Sequence, residues 1–197
     1  MGYGESTPKT KAKLYDVPDN SLNKDYEVFE NSPYSGVLYT DDPEELYSRI
    51  RLLEENENKI FDSPIIQRDR VLIGVTDDKH IMQQTPANGK FIWTINSNGD
   101  LTLGLRESRQ QFLPHSALSN GDRVFGAGEI VFENGRIIEV NPKSGHYIPK
   151  TLDGETIDLV QAKKYSEQTI KVMKSYLKAN GFTEAEINKI KFSTNVN

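Results

Sequence analysis

The chain has 197 residues, a formal net charge of -5, 36% hydrophobic residues and no cysteine. That length fits one domain able to bury a real core. The missing thiols exclude disulfides, thiolate metal sites and cysteine nucleophiles, and the acidic balance speaks against nucleic acid as a partner. No apolar run approaches the ~18 residues of a membrane span, and no signal-peptide core opens the chain. A soluble protein without a membrane partner is expected. It would be cytoplasmic as written, or secreted or delivered as an effector with its export signal elsewhere.

Residues 1–24, with "STPKTKAK" and "DVPDNSLNK", are poor in apolar side chains and read as a flexible N-terminal arm. Residues 25–197 read as a single α+β domain. "YEVFE" and "SGVLYT" are short extended pieces around a turn at Asn31-Ser32-Pro33. "TDDPEELYSRIRLLEENENK" reads as a helix. Asp41 or Asp42 caps it, Pro43 fits its first turn, and Leu46, Ile50 and Leu53 face the core.

The β region follows. "RVLIGVT" and "KHIMQQ" flank Asp77-Asp78, "KFIWTIN" and "DLTLGLR" flank Ser97-Asn98-Gly99, and "RVFGAGEIVFE" and "RIIEV" flank Asn134-Gly135. Three consecutive hairpins predict a mainly antiparallel sheet of about six strands. Phe91, Trp93 and Ile95 alternate and belong in the core.

The chain then turns helical over residues 155–191. Ile157, Val160, Tyr165, Ile170, Met173 and Leu177 form an apolar stripe, and Gly181 supplies a stop. Thr183 and Glu186 make a capping box for a last short helix. The lysines from Lys163 to Lys178 read as a solvated helix face.

Chemistry concentrates at the two ends of the third hairpin. His115-Ser116 precedes it, and Ser144-Gly145-His146-Tyr147 follows it. An antiparallel pair brings both ends to one edge of the sheet. Imidazoles can move protons near neutral pH, a serine can attack or donate, and a tyrosine can donate. Gly126 and Gly128 weaken their strand unless something approaches closely or the strand bulges. Gly145 is expected to let the backbone turn at His146. Glu129 is either a pocket carboxylate or an edge-strand charge. A three-histidine metal site would need His80, on an expected strand, to join His115 and His146, and nothing in the spacing demands it.

His115-Ser116-x-Leu118-x-x-Gly121, Ala127-Gly128, Asn134-Gly135 and Ser144-Gly145-His146-Tyr147-x-Pro149 resemble the C-terminal module of plant IQ-motif calmodulin-binding proteins. That module reads approximately "HSSFLAGG…AAGR…G…SGHYLP". "KFIWTINSNGDLTLG" is similar to the "KWIFVLS…LYVG" strand pair preceding it there. The resemblance covers about residues 67–151 and extends to bacterial and fungal effector-like or toxin-like domains. Ala117 replaces the module's second serine, and Glu129 stands where it tends to have a basic residue. The chain has no visible IQ-type helix, so calmodulin is not carried over as a partner.

Two functions stand open. The first is an effector-type or toxin-type enzyme acting on a phosphate- or nucleotide-containing substrate by hydrolysis or ADP-ribosyl-type transfer. Its catalytic residues would be His115, Ser116, His146 and Tyr147, with Ser144, Gly145 and Gly128 binding. The transfer version would take NAD as cofactor and Glu129 as its carboxylate. The second is a non-catalytic module that binds a ligand or a protein. Catalysis predicts paired side chains at the floor of a concave pocket; a module predicts one buried histidine bonded to backbone.

Overall fold

A computed structural model of the chain describes residues 26–29, 59–106, 113–145, 147–153 and 156–196. The arm, the "SGVLYT" strand, the first helix and His146 fall outside the described residues. Among those described, the strands are β1 (Ile60–Asp62), β2 (Ile65–Gln67), β3 (Arg70–Thr76), β4 (Met82–Pro86), β5 (Gly89–Asn96), β6 (Leu101–Leu105), β7 (Val124–Glu133), β8 (Arg136–Asn141) and β9 (Lys191–Phe192). The helices are α1 (His115–Ser119), α2 (Leu159–Ala179) and α3 (Glu184–Asn188).

The fold is α+β. A six-stranded sheet runs β1-β6-β5-β7-β8-β9 and a three-stranded one runs β2-β3-β4. All three expected hairpins form. Asn134 (φ 49°) and Gly135 (φ 83°) both take the left-handed conformation that a two-residue hairpin turn requires. The β5–β6 turn is held by Asn96, whose side-chain oxygen accepts from the amides of Asn98 and Asp100 at 3.0 Å each.

The expected sheet nevertheless differs in membership. The β3–β4 hairpin leaves it to pair with β2, and β1 and β9 complete the six strands instead. β9 joins β8 in parallel. Local alternation encodes a hairpin, not the edge to which it is added. The small sheet is tied to the large one through the β7–β8 turn. There the Val71 amide donates to the Gly135 carbonyl and the Gly135 amide to the Ala87 carbonyl, both at 2.7 Å.

Alternation splits β5 into two buried faces. Phe91, Trp93 and Ile95 face a core completed by Ile130, Phe132 and, from α2, Ile170, Met173, Tyr176 and Leu177. Ile92 faces the other way, against Leu113 and Leu118 of the α1 segment. Each fully buried Leu, Ile, Phe or Met contributes roughly 1.5–3 kcal/mol.

α2 begins where the Asp158 carboxylate accepts from the Gln161 amide at 3.1 Å. It stops in a paired-bond cap. The amides of Phe182 and Gly181 donate back to the carbonyls of Leu177 (3.0 Å) and Lys178 (3.2 Å), with Gly181 at φ 97°. The Thr183–Glu186 capping box is present. The apolar stripe departs from expectation at its start. Val160 is exposed, and Ile157 precedes the helix and is half-buried; the buried face of α2 begins at Ala162. Upstream, the Tyr26 hydroxyl meets the Ser175 hydroxyl at 3.0 Å, and Phe29 bridges to Val124.

Candidate functional site

The site is built on β7 from its two faces. α1 is a single turn of helix where a turn was expected. Pro114, at φ -79° and ψ 153°, sets its entry, and Asn120 in the left-handed region (φ 55°) ends it. Five residues are too few for a periodic pattern to reveal. The turn points His115, Ser116 and Ser119 inward.

His115 is 5% exposed, and its Nε2 lies 2.8 Å from the Gly128 carbonyl oxygen. A carbonyl can only accept, so Nε2 carries a proton. Ser116 is fully buried and its hydroxyl has no hydrogen-bond partner among the described residues. Ser119 bonds to the Tyr147 hydroxyl. Tyr147 in turn donates to the Asp122 carbonyl at 2.7 Å, so it accepts from Ser119. Ser144 anchors the returning segment: its carbonyl accepts from Ile148 (3.0 Å) and its hydroxyl from the Tyr147 amide (3.3 Å). The segments at the two ends of the β7–β8 hairpin thus meet through Ser119 and Tyr147.

The two strand glycines leave no open space. A Cβ on Gly128 would lie 1.8 Å from the Asn141 carbonyl oxygen, and one on Gly126 would lie 3.0 Å from the Thr169 backbone. Gly145 lies in the turn expected of it, closed where the Ile148 amide donates to the Ser144 carbonyl at 3.0 Å, but the turn does not demand glycine. Gly145 is not among the residues with positive φ, and an added Cβ would meet nothing within 4 Å.

Glu129 lies on the Ile92 face of the sheet. It is 5% exposed and fully engaged. Arg106 Nη1 approaches one carboxylate oxygen at 2.6 Å and Lys90 Nζ the same oxygen at 3.3 Å. Asn141 donates to the other oxygen at 3.2 Å and accepts from the Glu129 amide at 3.2 Å. The Glu129 carbonyl also accepts from Trp93 Nε1 at 3.1 Å. A buried carboxylate with two cations and an amide organises a strand end.

Beneath β7, Tyr165 donates to the Ala127 carbonyl. Burial pushes the Tyr165 phenol far above its ordinary value, and burial does the same for Tyr176. His80 is not on a strand. It sits exposed in the β3–β4 turn at φ 60°, ahead of β4. Among the described residues, no group of three or more His, Cys, Asp or Glu side chains could hold a metal ion. No described helix is long and apolar enough to cross a membrane.

Sequence reasoning missed Arg106, Asn141, Ser119 and Tyr165 as members of this network. One signal was available: the β5–β6 register pairs Phe91 with Leu105, so Lys90 and Arg106 fall opposite one another.

Residues 64–153 match the family model described as the IQ motif-containing protein middle domain. The match spans less than half of the chain and contains β2 through β8, α1 and Tyr147. No curated protein matches the chain, and no solved structure does.

Proposed function

We propose that the chain is a non-catalytic recognition module whose histidine, serine and tyrosine framework locks the scaffold instead of turning over a substrate. One observation carries this reading: His115 is buried and spends its Nε2 proton on the Gly128 main-chain carbonyl. Tyr147 is committed in the same way, to Asp122. Proton transfer needs a group that can reach a substrate, and both side chains are buried, with His115 Nε2 and the Tyr147 hydroxyl bonded to main-chain carbonyls. The match to a middle domain of IQ motif-containing proteins agrees with a part that serves a larger binding protein.

A second reading keeps the effector-type hydrolase or NAD-dependent transferase, because one observation favours it. The buried Ser116 hydroxyl has no partner among the described residues, although His115 is its neighbour in the chain. Unpaired buried hydroxyls are rare and ask for a reason.

Ser116→Ala separates the two. In a scaffold, removing an unsatisfied buried hydroxyl leaves stability unchanged or raises it by up to about 1 kcal/mol. The parent and variant proteins would be incubated with NAD, nucleoside triphosphates and a phosphodiester, and products followed by 31P NMR. No turnover by either protein is expected. Product formation by the parent that Ser116→Ala abolishes would overturn the recognition reading.

A further inference from the structure

α2 carries five lysines (Lys163, Lys164, Lys171, Lys174 and Lys178), all exposed, and one acidic residue, Glu167. On a chain of net charge -5 that is a concentrated basic stripe. Solvation alone explains exposed lysines, but the lower part of this stripe has further features. A groove of about 410 Å³ opens between α2 and α3. Ile170 and Ile187 line it while remaining 6% and 5% exposed, so they form its floor. Lys171, Lys174 and Lys178 stand on its rim.

The rim cations are held. Lys171 Nζ lies 5.6 Å from the Tyr26 ring centroid and Lys174 Nζ lies 4.7 Å from that of Phe192. Lys178 Nζ reaches Glu184 at 3.1 Å. Side chains ordered before binding lose less entropy on binding.

We propose that this groove docks an acidic amphipathic segment of a partner protein, with an apolar side chain over Ile170 and Ile187 and carboxylates against the three lysines. Charge complementarity selects the acidic partner. The apolar floor offers nothing to a continuous polyphosphate, whereas an amphipathic segment can cover it between its own carboxylates. The surface lies outside residues 64–153, so it belongs to the part of the chain that the family match does not reach. The inference rests on the recognition reading but uses none of its buried framework.

The test is fluorescence anisotropy with a labelled synthetic helix bearing leucines at i, i+4 and i+7 among glutamates, with a scrambled peptide as control. The intact chain should bind the patterned peptide and not the scrambled one. Raising salt should weaken binding. The triple variant Lys171→Glu, Lys174→Glu, Lys178→Glu should weaken it about tenfold or more, with circular dichroism confirming its fold. Lys178→Gln alone should weaken it less, and serves if the triple variant unfolds. Three results would overturn the proposal: no preference for the patterned peptide, binding indifferent to the lysines, or lysine-dependent binding of single-stranded RNA or phosphatidylserine vesicles without the peptide. Serine-dependent turnover would overturn the recognition reading and leave this binding curve unaffected, so the two failures are distinguishable.

Discussion

Gly128 in β7 and Gly145 in the loop after β8 flank Asn141, and their surroundings are opposite. At Gly128 the Asn141 carbonyl occupies the volume a side chain would need. At Gly145 that volume is empty. The contrast extends to the neighbours of each. Along β7, carbonyls of Ala127, Gly128 and Glu129 accept from Tyr165, His115 and Trp93 in turn, so three large side chains on different elements converge on one strand. The exposed loop position has no comparable demand. A glycine in a sequence therefore marks either a necessity or a freedom, and only its neighbours in space decide which.

The sharpest way to break the comparison is Gly128→Ala. Relief of a contact with backbone requires the end of β8 to move, and Asn141 cannot move without disturbing both of its bonds to Glu129. A loss of about 4 kcal/mol or more is expected, at the top of the single-substitution range. Gly126→Ala should cost less, roughly 1–3 kcal/mol, because Thr169 approaches only to 3.0 Å. Urea midpoints check both. Near-parental stability of Gly128→Ala would mean that the strand ends are not locked together.

Alkaline pH probes the same interior. Tyr165 and Tyr176 have their phenols pushed well above the ordinary value of about 10 by burial. In the unfolded chain these protons leave near pH 10; in the folded chain they stay. The folded state then binds more protons, so stability is intact below about pH 10 and falls as pH rises above it. Each tyrosine contributes a slope of about 1.4 kcal/mol per pH unit, or roughly 3 kcal/mol per unit for both. Urea unfolding between about pH 9 and pH 11 reads it. Tyr165→Phe should roughly halve the slope, and a flat profile in the parent chain would contradict the tight packing assigned to β7.

What the sequence made legible was local. Asn134-Gly135 announces its hairpin because few other dipeptides tolerate consecutive positive φ, and Gly99 announces the β5–β6 turn because it alone there takes a positive φ. Thr183 with Glu186 and Gly181 announce helix ends because unpaired terminal groups need partners within a turn. The alternation of Phe91, Trp93 and Ile95 announces a buried face. The membership of β9, the departure of β3 and β4 to a second sheet and the exposure of Val160 depend on contacts far apart in the chain, which no window contains. The candidate site divides the same way. The return of the segment after β8 toward α1 follows from antiparallel pairing. The identity of Ser119 as the bond partner of Tyr147, and of Asn141 as that of Glu129, requires the register of strands and the direction of side chains together.

The smallest effect is expected at Gly145→Val. A β-branched residue is costly where φ is positive or where its methyls meet backbone. Gly145 has neither feature: its φ lies outside the left-handed region, and an added Cβ would meet nothing within 4 Å. Replacing glycine at a compatible position also reduces the freedom of the unfolded chain, which offsets part of any remaining cost. The substitution should move stability by no more than about 0.5 kcal/mol, the range of ordinary surface changes. Its partner measurement is Gly128→Val in the same background, where the clash with Asn141 should prevent folding. If Gly145→Val proved as damaging as its counterpart on β7, the loop would be as tightly built as the strand, and the contrast between the two glycines would be lost.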